Sequence, residues 1–190
     1  MPRPSLADVR RPQILEAYAR CLVSYGWEGS TLDRIAEEAG VTRALVRHYL
    51  GNRDEVDRAL VEHLRARYVD WFQGLGRGVP PSRRLSAIVD ALLTTDPEEP
   101  TQVVDALFAA SKDRPELQDA LRAMYRELEQ LVETELAAAH PGADPGRRRT
   151  VAYGLVCLVG MHRSLDAIGF PSERAIQAKA CADRLVADLA

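Results

Sequence analysis

The chain has 190 residues, of which 46% are hydrophobic, a formal net charge of −3 and three cysteines. That length and apolar content are enough for a folded core, the slightly acidic balance excludes a protein that is basic over its whole surface, and the odd number and wide spacing of Cys21, Cys157 and Cys181 argue against a secreted disulfide framework. The longest uncharged apolar run, residues 151 to 161, is about half of the roughly 20 residues a membrane-crossing helix needs, and the opening MPRPSLADVRRP lacks the apolar segment of a secretory signal, so a cytoplasmic protein without a membrane span is expected.

Nearly every segment repeats with a 3.6-residue period and none alternates as a strand does, which predicts an all-α fold of about nine helices. The first helix is expected at about residues 10 to 25, with Ile14, Leu15, Tyr18, Cys21, Leu22 and Tyr25 on one stripe and Gly26 as its end. Two short helices follow, at about residues 31 to 39 and 42 to 50, each opening on a threonine able to accept the unpaired N–H groups of a first turn. A long fourth helix, at about residues 54 to 75, begins with Asp54, Glu55 and Asp57 at its positive dipole end. Gly74, Gly76 and Gly78 with Pro80 and Pro81 then form the strongest break, dividing a domain at residues 10–70 from one at 80–190. Five more helices are expected beyond it, at about 82 to 94, 101 to 112, 115 to 140, 146 to 168 and 172 to 189, separated by DPEEP, DRPE, HPGADPG and GFPS.

Within residues 31–50 the pattern has a geometric meaning. Ala36 is small where two steeply crossing helices approach, Gly40 can take the backbone geometry of the turn, and Leu32, Ile35, Val41, Val46 and Tyr49 can face the first helix, which is the spacing of a helix-turn-helix. From Gly40 to Arg53 the stretch GVTRALVRHYLGNR contains Arg43, Arg47, His48 and Arg53 and no acid, although residues 1–58 hold nine arginines against nine acids. A surface that approaches phosphates must be clear of carboxylates, and arginine and small residues are the side chains that meet guanine edges and thymine methyls in the major groove. The competing reading of a short helix with two arginines is an ordinary solvated face.

Residues 13–57, QILEAYARCLVSYGWEGSTLDRIAEEAGVTRALVRHYLGNRDEVD, resemble the N-terminal DNA-binding domain of the TetR family of transcriptional regulators. The resemblance rests on the Tyr25-Gly26-Trp27 turn, on TLDRIAEEAGVT and on the HYL-G-N-R-DE segment. It implies that Thr31, Thr42, Tyr49 and Arg53 lie on the phosphate backbone and that Arg43, Ala44, Arg47 and His48 face base edges. Arg47 stands where the family usually has tyrosine, Ala44 where glycine is common, and Leu45 where a small hydroxyl residue is common, so no operator can be carried over. The resemblance further implies a three-helix DNA-binding domain joined by the long fourth helix to a helical domain for ligand binding and dimerisation.

The residues of the second half support part of this. In VAYGLVCLVGM every helical face is apolar, so one face can fill its own core while another meets a partner, with Ala152, Gly154 and Gly160 allowing close approach. The last helix offers Ile176, Ala180, Leu185, Val186 and Leu189, and a homodimer through the last two helices is expected, reading a palindromic operator in double-stranded DNA. Candidates for lining a site for an unknown small-molecule effector are Trp71, Phe72, Phe108, Met124, Tyr125, Cys157, Met161 and His162, each of which also suits an ordinary core.

No catalytic constellation is visible. His48, His63, His140 and His162 have no i, i+4 pairing, no CxxC or GxSxG is present, and no metal or cofactor is expected. The expected function is a sequence-specific repressor whose operator binding is released by a ligand; a ligand-responsive activator and a helical interaction module without DNA binding are the alternatives.

Overall fold

A computed structural model describes residues 6–94, 101–170 and 173–189, except for the side chains of residues 81 and 82. Among the described residues there are nine α-helices and no strand: α1 (Leu6–Gly29), α2 (Leu32–Glu38), α3 (Arg43–Leu50), α4 (Arg53–Leu75), α5 (Pro81–Thr94), α6 (Thr101–Ala110), α7 (Pro115–Ala139), α8 (Pro145–Ala167) and α9 (Arg174–Ala187), with a 3₁₀ turn at Ser111–Asp113 after α6. The all-α expectation therefore holds. None of these helices is long and apolar enough to cross a membrane. The expected break DPEEP falls at residues 96–100, outside the described residues, as do two residues of GFPS.

Local chemistry explains most of the boundaries. Thr31 and Thr42 stand in extended backbone before α2 and α3, and their hydroxyl oxygens accept from Arg34 N and Leu45 N, both at 3.3 Å. Asp144 does the same for α8, accepting from Arg147 N at 2.9 Å. At α4 the cap is reciprocal: Glu55 N donates to Asn52 Oδ1 at 3.0 Å and Asn52 N donates to Glu55 Oε2 at 2.8 Å. Gly26 ends the first helical run as expected. It takes φ 64° and ψ −177°, a kink after which one further turn runs to Gly29, and the helix begins four residues earlier than its apolar stripe suggests.

The described residues pack as two compact units, drawn differently from the linear division at the glycine–proline segment. The first comprises residues 6–66 together with Gln102–Met124, and the second comprises 67–94, Thr101 and Tyr125–Leu189. In the first, α1 packs on α2 and α3, and α2 packs on α3. Ile14, Tyr18, Ile35, Val46, Leu60 and Leu64 are fully buried there, each contributing on the order of 1.5–3 kcal/mol from burial of its side chain. In the second, α5, α8 and α9 pack on one another around Ile88, Leu136, Val151, Leu155 and Ala182, with Phe72 from the end of α4.

Candidate nucleic-acid interface

The site is built on the α2–α3 pair. Gly40 carries φ 64° in the turn between them, a left-handed conformation that costs other residues roughly 1–2 kcal/mol. The turn is closed by Val41 N donating to Ala36 O at 2.9 Å. Ala36 is 4% exposed and Ile35 and Val46 are wholly buried, so the small residue lies where the helices cross and the apolar ones face α1. Across the top, the Arg11 guanidinium of α1 donates to Tyr49 O in the last turn of α3, where a positive charge meets the negative end of the helix dipole.

With Val46 and Leu50 pinned inward, the rest of α3 is turned out. Arg43, Ala44, Leu45, Arg47 and His48 are exposed, as are the capping Thr31 and Thr42, and Tyr49 is half-buried against the His48 ring, with centroids 5.0 Å apart. Arg47 has no hydrogen-bond or ion-pair partner among the described residues. Arg43 does: its guanidinium lies 2.9 Å from Asp33 Oδ2 of α2, with both side chains more than half exposed. The run of residues 40–53 is thus free of acids in sequence but not in space. An exposed pair of this kind contributes about 0–1 kcal/mol, so a polyanion can displace Asp33 with little loss. Each capping threonine uses its oxygen as acceptor and keeps its hydroxyl proton to donate outward.

Arg53 departs from expectation. It is not turned toward the outer surface; its side chain is 22% exposed and points into the first unit. There it donates to Ser30 O, to Tyr18 Oη at 2.7 Å and to Trp27 O at 3.1 Å, and its Nε lies 3.1 Å from Asp57 Oδ1. Its guanidinium stacks 4.8 Å from the Tyr18 ring centre and 4.5 Å from that of Trp27. Asp57, 1% exposed, also accepts from Tyr18 Oη at 2.5 Å and Trp27 Nε1 at 2.9 Å. Burial, and next the Asp57 charge, push the Tyr18 hydroxyl well above the usual tyrosine range. The Trp27 ring also carries Arg114, 3.6 Å from the ring centre, from the segment between α6 and α7. A side chain engaged in this way ties α1 to α4 and is directed into the first unit rather than toward the outer surface.

A signal for this network exists in the sequence. Asp57 falls on the same stripe of α4 as Leu60, Val61 and Leu64, all fully buried or nearly so, and an acid in an apolar stripe requires a buried partner. Leu45, which stands where the family commonly has a small hydroxyl residue, is 39% exposed.

The residues expected around an effector are divided between the two units. Phe108 and Met124 belong to the first unit, the others to the second. Met124 and Phe72 are core, at 1% and 6% exposure, whereas Phe108 and Met161 are 59% and 61% exposed and Cys157 is also exposed. Trp71, Tyr125 and His162 are half-buried in the second unit, where Arg163 lies over the Trp71 ring at 5.3 Å and donates to Leu92 O at 2.8 Å. Gly154 admits Leu185 of α9 in the same chain: a Cβ there would lie 3.3 Å from Leu185 Cδ1. Tyr153, Cys157 and Met161 recur every fourth residue on an exposed face of α8. Among the described residues, no three His, Cys, Asp or Glu side chains gather as a metal site.

Comparison with known proteins places this geometry. A family profile described as bacterial regulatory proteins, tetR family, matches residues 14–60, and one described as BetI-type transcriptional repressor, C-terminal, matches residues 81–189. The HTH-type transcriptional regulator BetI of Burkholderia thailandensis is 28% identical over 167 residues, covering 84% of this chain and 82% of that protein. Among solved structures, a TetR transcription regulator from Haloarcula marismortui aligns with a TM-score of 0.79 at 20% identity over 95% of this chain and 98% of the other. A TetR-family regulator from Cytophaga hutchinsonii aligns with a TM-score of 0.81 at 14% identity over 99% and 98%; these two likenesses concern the fold.

Proposed function

Because the chain belongs to the TetR family and is a DNA-binding transcriptional regulator rather than an enzyme, we propose that it represses transcription as a homodimer seated on a palindromic operator and released by a small-molecule effector. The observation that carries the DNA reading is the outer face of α3. It is a capped, eight-residue helix that presents Arg43, Ala44, Arg47 and His48 outward and bears no carboxylate of its own. Arg47, Arg43 and His48 supply donors to base edges, Ala44 permits close approach, and Thr31, Thr42 and Tyr49 hold the phosphate backbone. Arg53 keeps α1 and α4 in register beneath them as a positioning residue.

Dimerisation is assigned to α8 and α9. Tyr153, Met161 and Ile176 are 60%, 61% and 74% exposed, an apolar surface that a second copy would remove from water. The effector is assigned to the second unit at Trp71, Tyr125 and His162, aromatic and polar side chains left half-buried there. Its binding would lower operator affinity by linkage between the two sites.

Selection from random duplexes, followed by titration at several salt concentrations, tests the reading. The expected result is an enriched inverted repeat, bound by a species of twice the chain mass, with log affinity falling linearly with log salt. Recovery of no enriched sequence, or a strict monomer at micromolar concentration, overturns it.

A further inference from the structure

Leu45 is a large aliphatic side chain held on the surface of a helix whose other large aliphatic residues, Val46 and Leu50, are inside. It is 39% exposed, whereas Val46 is 0% and Leu50 5% exposed. Helical geometry places successive residues about 100° apart around the axis. With the buried direction set by Val46 and Leu50, His48 and Ala44 occupy the middle of the outer face, Leu45 one edge and Arg47 the other. Leu45 also lies in the first turn of α3, its N–H donating to the capping Thr42 at 3.3 Å, so it shares with Ala44 the end of the helix that reaches deepest toward a partner.

The chemistry of that position is restrictive. Leucine has neither donor nor acceptor, and pressed against a polar base edge it would strip water from a group without replacing the hydrogen bond. The major-groove edges of the four base pairs carry one apolar group, the C5-methyl of thymine. Arg47 at the opposite edge has the reverse preference, offering paired donors suited to guanine O6 and N7. We propose that Leu45 is a specificity-determining residue that reads a thymine methyl in each operator half-site, so that the half-site is apolar under one edge of α3 and guanine-bearing under the other. The inference rests on α3 being the DNA-reading helix.

Deoxyuridine differs from thymidine by that methyl alone, which makes the test direct. In a selected operator, each thymine is replaced by deoxyuridine symmetrically in both half-sites, and binding of the full chain is measured beside Leu45→Ala and Arg47→Ala. One position is expected to weaken wild-type binding about fourfold per half-site, the fold-change corresponding to about 0.8 kcal/mol for one buried methyl-sized group. Leu45→Ala is expected to bind the thymine and deoxyuridine duplexes equally, while Arg47→Ala keeps the fourfold difference. Because Leu45 is exposed, an unchanged thermal midpoint confirms that its variant is folded. A selected operator at which no thymine shows the penalty, or at which Leu45→Ala shows it undiminished, overturns the assignment of Leu45 alone. Failure to select any duplex overturns the DNA reading and this inference with it.

Discussion

Arg53→Ala separates two roles for one side chain, because a phosphate contact and a buried anchor fail in different ways. In the structure Asp57 is 1% exposed and its carboxylate is held by Arg53 at 3.1 Å, Tyr18 at 2.5 Å and Trp27 at 2.9 Å. Removing Arg53 deletes the positive member and leaves the charge with two neutral donors. Breaking a buried pair in this way costs about 3–5 kcal/mol, a large part of the roughly 5–15 kcal/mol that holds a domain together. In a chain of this size about 2–4 °C of thermal midpoint is lost per kcal/mol, so a fall of roughly 6–20 °C is expected. Removing both charges with Arg53→Met and Asp57→Leu should recover most of that loss, since apolar replacements of a buried pair are often neutral. Urea unfolding followed by circular dichroism gives the stabilities. Operator titration well below the midpoint gives the salt slope, which should match that of the parent. The reasoning is refuted if Arg53→Ala keeps parental stability and its slope is shallower by about 1.8, the signature of one lost phosphate contact in each subunit of the dimer.

Three further outcomes follow from named contacts. The Tyr18 hydroxyl is held protonated in the fold, chiefly by burial, while the unfolded chain titrates near 10.0; stability is therefore complete below that pH and declines above it, by up to about 1.4 kcal/mol per pH unit for this one proton. Tyr18→Phe should remove that component from an alkaline unfolding series. Asp33→Asn frees Arg43 from its exposed partner 2.9 Å away and should leave stability within about 1 kcal/mol while tightening binding to any duplex up to about fivefold per half-site, as gel-shift titration would register. Gly51 sits at φ 90° and ψ −147°, and a Cβ there would collide with the Glu55 carboxylate; Gly51→Ala should lose about 2–4 kcal/mol from backbone strain and the broken α4 cap, read by thermal unfolding.

The helix-turn-helix was legible because its signals are local. Two threonine caps, a glycine at the turn and a 3.6-residue stripe each act within one or two turns of chain, and Gly40 and Ala36 took the places that spacing assigned them. The direction of Arg53 was not legible, since an arginine at the head of a helix has the same sequence context whether it turns to solvent or inward. Asp57, one helical turn on, carried the missing information. The apolar residues of α8 illustrate a different limit. Composition shows that VAYGLVCLVGM is apolar all round, but only the coordinates divide it into Val151, Ala152 and Leu155, which are buried, and Tyr153, Cys157 and Met161, which are not. Gly154 was expected to let a second helix come close, and the helix that does so is α9 of its own chain, at Leu185.

The chain contains two tryptophans, and the packing assigns one to each compact unit: Trp27 to the first and Trp71 to the second. Each indole lies against a guanidinium, Trp27 against Arg53 and Arg114 and Trp71 against Arg163. Indole emission responds to a nearby cation, so any loosening of either stack changes light output from that unit alone. Trp71→Phe leaves the first unit as the sole emitter and Trp27→Phe the second. The protein therefore carries two native optical reporters, by which rearrangement in one half can be timed against rearrangement in the other without attaching a dye.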